Sequence, residues 1–167
     1  NGFRGIWGEG SAGTTIRGNV VSGNGESAVY MNNAPNTVVA GNHLGTDAPG
    51  TAAVPNVGDG VVFINNTNGV IGGFTAAERN IISGNGVRGI TIFRGNDVFV
   101  RGNYIRTDVT GTADLGNTVD GIRVVVNAAN AVIGGSNAGN VISGNGGHGM
   151  FAENVPNLSI SGNLIRT

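Results

Sequence analysis

Chemistry in this sequence rests on asparagine, aspartate, arginine and two histidines; cysteine and lysine are absent. Thiolate nucleophiles, thiolate metal sites and disulfides are therefore excluded. Six asparagines, Asn19, Asn42, Asn80, Asn103, Asn140 and Asn163, each precede a short apolar pair. A primary amide carries both donors and an acceptor, so identical neighbours can bond along a stack. An amide is also a poor acid and a poor base, and the recurrence predicts a structural asparagine ladder. A second series, Asn24, Asp47, Asn85, Asp108 and Asn145, alternates amide and carboxylate. If its members stack, like carboxylates stand two rungs, ~9.6 Å, apart. That spacing touches the upper limit for inverting glycosidases, about 6.5–9.5 Å. An Asx turn opening a surface loop is the simpler reading, and a weak calcium site is a third.

A third series, Asp59, Arg88, Asp120 and His148, directly precedes the first apolar segment of successive units, with Arg4 and Ser27 at its head. It predicts stacked surface ion pairs. His148 beside Asp120 suggests a dyad, but no serine nucleophile signature accompanies it, and no catalytic residue is assigned. Trp7, Tyr30 and Phe151 alternate outward on the same segment and are candidates for stacking on a sugar or contacting another chain.

These residues are positioned by a repeat. Val20-Val21-Ser22-Gly23-Asn24-Gly25 returns as residues 81–86 and 141–146, and Gly41-Asn42-His43-Leu44-Gly45-Thr46-Asp47 returns as residues 102–108 and, cut short, as 162–167. Each unit of about 60 residues splits in two, and each half holds three short apolar segments separated by glycine and asparagine. Helical periodicity is absent, so the segments read as strands of three to five residues. Hairpin signals do not occur at every turn, so the strands cannot form a meander. Stacking each strand in parallel on its equivalent one coil later, at about 4.8 Å, satisfies all of them. Alternation then points Ile6, Val29, Val61, Ile90, Ile122 and Met150 inward on the first strand. Val21, Leu44, Ile82, Ile105, Ile142 and Ile165 do so on the third.

The fold expected is all-β: one domain over residues 1–167, a three-sheet solenoid of six coils grouped in pairs. The pattern resembles the right-handed parallel β-helix repeat of the pectate-lyase-like superfold. Its Ile-Ser-Gly-Asn-Gly and Gly-Asn-Tyr-Ile-Arg-Thr-Asp-x-x-Gly-Thr phrases are similar to the tandem repeats of large bacterial surface and secreted proteins. That resemblance implies an extracellular or cell-surface location. It also implies a structural or adhesive module, such as a rigid spacer, surface fibre or filament subunit. The alternative is a polysaccharide lyase, a glycoside hydrolase or a non-catalytic carbohydrate-binding β-helix.

Composition narrows the partners. Glycine and asparagine make up about a third of 167 residues, and the net charge is −1. A balance so near neutral offers no field for nucleic acid or an anionic membrane. No apolar run approaches the roughly 20 residues of a membrane span. No cofactor is called for beyond the weak calcium alternative. The chain opens and closes within repeats, which predicts an excerpt of a longer solenoid, with end-to-end self-association or neighbouring coils of the same parent as partners and polysaccharide as a further one.

Overall fold

A computed structural model describes residues 1–166. Three strands form each coil, in chain order. The first coil holds β1 (Ile6–Glu9), β2 (Thr15–Arg17) and β3 (Val20–Val21), and the second β4 (Val29–Asn32), β5 (Val38–Ala40) and β6 (His43–Leu44). The third holds β7 (Val61–Ile64), β8 (Val70–Gly72) and β9 (Ile81–Ile82), and the fourth β10 (Ile90–Phe93), β11 (Phe99–Arg101) and β12 (Tyr104–Ile105). The fifth holds β13 (Ile122–Val125), β14 (Val132–Gly134) and β15 (Val141–Ser143), and the sixth β16 (Met150–Glu153), β17 (Ser159–Ser161) and β18 (Leu164–Arg166). Equivalent strands pair in parallel, giving three six-stranded sheets. The register is continuous: Val61 pairs with Ile90, Ile90 with Ile122, and Ile122 with Met150. This is a parallel β-helix.

The inward residues of the middle coils form one column of core. Val29, Val61, Ile90 and Ile122 of the first sheet are fully buried, as are Val39, Ile71, Val100 and Ile133 of the second and Leu44, Ile82, Ile105 and Ile142 of the third. In the sixth coil the inward Ile160 and Ile165 are each 49% exposed. The corners explain why asparagine and glycine are so abundant. Between the first and second sheets the chain turns through left-handed residues, and Asn33, Asn65 and Asn154 take the first such position with φ of 49–54°. Asparagine tolerates this region better than other residues with a Cβ. Between the second and third sheets Gly102 has φ +63°, and a Cβ there would come within 2.5 Å of the Gly73 carbonyl oxygen.

Candidate functional site

The six asparagines ahead of the third strand form an unbroken ladder. Each side-chain N–H donates to the Oδ1 of the next: Asn19 to Asn42 at 3.0 Å, Asn42 to Asn80 at 3.0 Å, Asn80 to Asn103 at 2.8 Å, Asn103 to Asn140 at 2.9 Å and Asn140 to Asn163 at 2.8 Å. The same Oδ1 also accepts the backbone N–H of the preceding ladder residue, as Asn140 Oδ1 does from Asn103 at 3.0 Å. The second amide hydrogen reaches the carbonyl of the central residue of the preceding coil's second strand: Asn42 to Ile16, Asn80 to Val39, Asn103 to Ile71 and Asn140 to Val100, all at 2.8–2.9 Å. One side chain thus satisfies backbone groups that the turn leaves without sheet partners.

The alternating amide–carboxylate series is corrected by the structure. Asn24, Asn85 and Asn145 do lie in a second ladder, but its intermediate members are Asn56 and Asn117, not Asp47 and Asp108. Asn24 donates to Asn56 at 2.7 Å, Asn56 to Asn85 at 2.9 Å, Asn85 to Asn117 at 3.1 Å and Asn117 to Asn145 at 3.4 Å. Asp47 and Asp108 instead open hairpins that leave the solenoid and close through antiparallel bridges, Thr46 to Ala53 and Thr107 to Asp114. A carboxylate has no hydrogen to pass along the stack, so an aspartate would end the ladder. The signal for the true members lies in counting back from the next strand. Asn56 precedes Gly60 by four residues, as Asn24 precedes Ala28, Asn85 precedes Gly89, Asn117 precedes Gly121 and Asn145 precedes Gly149.

Both displaced carboxylates organise their hairpins by accepting loop N–H and hydroxyl groups, and Asp108, which also accepts the Thr110 N–H at 3.2 Å, alone forms an Asx turn. Asp47 Oδ1 accepts the N–H of Thr51 at 2.7 Å and of Ala52 at 3.0 Å, and Oδ2 accepts the Thr51 hydroxyl. Asp108 Oδ1 accepts the Thr110 hydroxyl at 2.7 Å and the N–H groups of Thr112 and Ala113. These bonds hold the pKa of each below the usual carboxylate value, the Ala52 N–H contributing most for Asp47 and the Thr110 hydroxyl for Asp108. The hairpins fold over the outer face of the third sheet, where Gly50 packs on His43 and Gly111 on Tyr104. They also meet each other across the intervening coil: the Val109 N–H donates to the Gly50 carbonyl at 2.9 Å. From the sixth coil Arg166 donates to the Gly111 carbonyl at 3.1 Å.

The charge series stacks as its spacing suggests, but its acids are buried. Asp59 Oδ1 accepts the Arg88 N–H at 3.0 Å and Oδ2 the Thr91 hydroxyl at 2.7 Å. Asp120 Oδ1 accepts the His148 N–H at 3.0 Å, and Oδ2 faces Arg88 Nε at 3.4 Å. Arg88 thus bridges two carboxylates on flanking coils. Desolvation pushes the Asp59 pKa above its ordinary value, against the opposing bonds from Thr91 and Arg88. With four acceptor bonds committed to chain neighbours, this column caps backbone and leaves little for a reactant. The aromatic candidates are partly covered. The Arg4 guanidinium lies 4.0 Å from the Tyr30 ring centre, while Phe151 lies against His148 and Arg123. Trp7 remains 63% exposed. Among the described residues, no group of three or more His, Asp or Glu is placed to hold a metal ion, and no helix is long and apolar enough to cross a membrane.

Three parallel sheets, a continuous core and two asparagine ladders define a parallel β-helix repeat protein. Among solved structures, a double mutant of the periplasmic alginate epimerase AlgG is similar, with a TM-score of 0.64 and 14% identity over 97% of this chain. The match covers 47% of that protein, so the chain spans about half its length. At this identity the likeness is one of fold. No family model matches the chain and no curated protein matches it.

Proposed function

We propose that the chain is a structural segment of an extracellular bacterial repeat protein, a rigid spacer or surface-fibre module. The observation that carries this reading is the pair of ladders, which run from coil to coil without a break while the acids beside them are spent on backbone N–H groups. From the first coil to the fifth, each coil is tied to the next through three strands and two amide side chains, so bending there must break several buried bonds at once. In the same reading the coils continue end to end, into further coils of a longer chain or onto a second copy. The half-exposed Ile160 and Ile165 support this, since their equivalents Ile133 and Ile142 are fully buried.

The alternative is carbohydrate processing, and its support is the likeness to an alginate epimerase. The two readings separate in one assay. The chain is incubated with polyuronates and neutral glucans, following reducing ends, unsaturated products and C5 configuration by NMR. A spacer leaves every substrate unchanged. Turnover that is lost on Asp59→Asn or Asp120→Asn while folding is retained would move the assignment to an enzyme.

A further inference from the structure

Two corners between the second and third sheets carry extra residues, one in the third coil and a shorter one in the fifth, where residues 135–140 separate β14 from β15. Between the second and third sheets of the third coil, residues 73–79 form an insertion with a short 3-10 turn at Ala76–Glu78. It is held by Glu78, one of whose oxygens accepts the N–H groups of Phe74 and Thr75 and the Thr75 hydroxyl, at 3.0–3.2 Å. The insertion places Phe74 against Arg101 of the next coil and sets Arg79 on Tyr104. The Arg101 guanidinium carbon lies 4.9 Å from the Phe74 ring centre and 4.3 Å from that of Phe99, and the Arg79 carbon lies 4.1 Å from that of Tyr104.

Among the described residues the two guanidinium groups have no acid partner, a condition they share with Arg94, Arg123 and Arg166. Arg4, Arg17, Arg88 and Arg106 each have a carboxylate within 4.0 Å. Among the described residues Arg79 and Arg101 have none, and their one hydrogen bond runs from Arg79 Nε to the Gly102 carbonyl at 3.2 Å. The aromatic contacts occupy guanidinium faces and leave the remaining edge N–H donors unused. Both groups are half-buried. Their planes are fixed, and little side-chain freedom is left to lose on binding. Phe74 is 63% exposed and offers an apolar face beside them.

We propose that this corner binds the oxyanion group of an acidic saccharide, a carboxylate or a sulfate. A guanidinium edge matches the two oxygens of such a group, and an aromatic face matches the C–H face of a sugar ring. With a net chain charge of −1, attraction is confined to this corner, which suits a short glycan segment and not a nucleic acid. Glu78 is the nearby acid of the insertion; its oxygens face the loop amides and, at 4.0 Å, Arg17. The assignment does not rest on the spacer reading, because a rod needs no ligand, and binding without turnover is compatible with it.

Calorimetry on the full chain tests it with four probes: an oligouronide, a sulfated oligosaccharide, a neutral glucan of equal length and inorganic sulfate. At least one acidic saccharide binds, and the two acidic probes show whether carboxylate or sulfate is preferred; the neutral glucan does not. Combined Arg79→Gln and Arg101→Gln weaken that binding at least tenfold. Arg94→Gln, which removes a guanidinium stacked on Phe93 at another corner, leaves it unchanged. Phe74→Ala weakens the saccharide and not inorganic sulfate. Arg101→Lys keeps charge and fold but loses the planar fork, and weakens binding even if the double variant unfolds. Failure of both acidic saccharides to bind, equal binding of the neutral glucan, or affinity unchanged from the parent chain in Arg101→Lys or in the folded double variant overturns the assignment.

Discussion

Asn66 and Asn103 are both fully buried, yet their replacement by alanine should change stability in opposite directions. Asn103 belongs to the first ladder. It donates to Ile71 and Asn140 and accepts from the backbone and side chain of Asn80. Losing four bonds at about 1 kcal/mol each, plus the space left by the amide at about 1 kcal/mol, puts the cost of Asn103→Ala near 3–5 kcal/mol. Asn66 sits at a corner of the third coil where the second coil carries Ala34 and the fifth Ala128, both buried. Among the described residues, neither its Oδ1 nor its Nδ2 has a protein partner. Its desolvation costs about 1–3 kcal/mol, against roughly 1 kcal/mol for the space left by truncation, so Asn66→Ala should stabilise by about 1 kcal/mol. At about 2–4 °C per kcal/mol for a chain of this size, the first variant melts some 10 °C lower and the second a few degrees higher. Differential scanning calorimetry measures both, with urea midpoints as a check. If Asn66→Ala destabilises as much as Asn103→Ala, the Asn66 amide is satisfied in solution and the reasoning fails.

Two further predictions concern backbone and charge. Val126 is β-branched and sits at φ +58°, so Val126→Asn should raise stability by about 1 kcal/mol in urea denaturation; a loss would show that the valine side chain contributes more packing than its backbone costs. Asp47 and Asp108 have folded pKa values below their unfolded ones. Their contribution is therefore present above the ordinary carboxylate range and lost as pH falls through the lowered folded values. Amide exchange at Thr51, Ala52, Thr112 and Ala113, corrected for its intrinsic pH dependence, should lose protection only in that acid window, and in Asp108→Asn the protection of Thr112 and Ala113 should no longer change across it. Loss of protection near neutrality would mean other groups hold the hairpins.

The fold was legible because its signal repeats. A glycine or alanine step followed by an alternating apolar segment marks every first strand, and Gly-Asn ahead of an apolar pair marks most third strands. The first ladder follows from those phrases alone. The second was misread because Asp47 and Asp108 lie at the ladder's distance from the strand before them, while the hairpins insert residues and hand that place to Asn56 and Asn117. Measuring from one flank of a variable turn fixes only that flank. Arg79, Arg101 and Phe74 carried no signal, since contact among them depends on how the third coil's insertion lies across its neighbours. Asn66 looked like an ordinary corner residue, because nothing local distinguishes an inward asparagine from an outward one.

The contact between hairpins bears on how such a chain can lengthen. The second and fourth coils carry them, and the Val109–Gly50 bond passes over a third coil that has none. In that coil Ser83 reaches the Thr107 carbonyl at 2.7 Å, as Ser22 in the first coil reaches that of Thr46. Bare and decorated coils are therefore complementary, and the smallest piece that can be duplicated without a mismatch is one of each. Adding a single coil would preserve core, sheets and ladders while setting every later hairpin out of phase with those before it. Growth is quantised in pairs, and the external ornament, not the internal packing, sets the quantum.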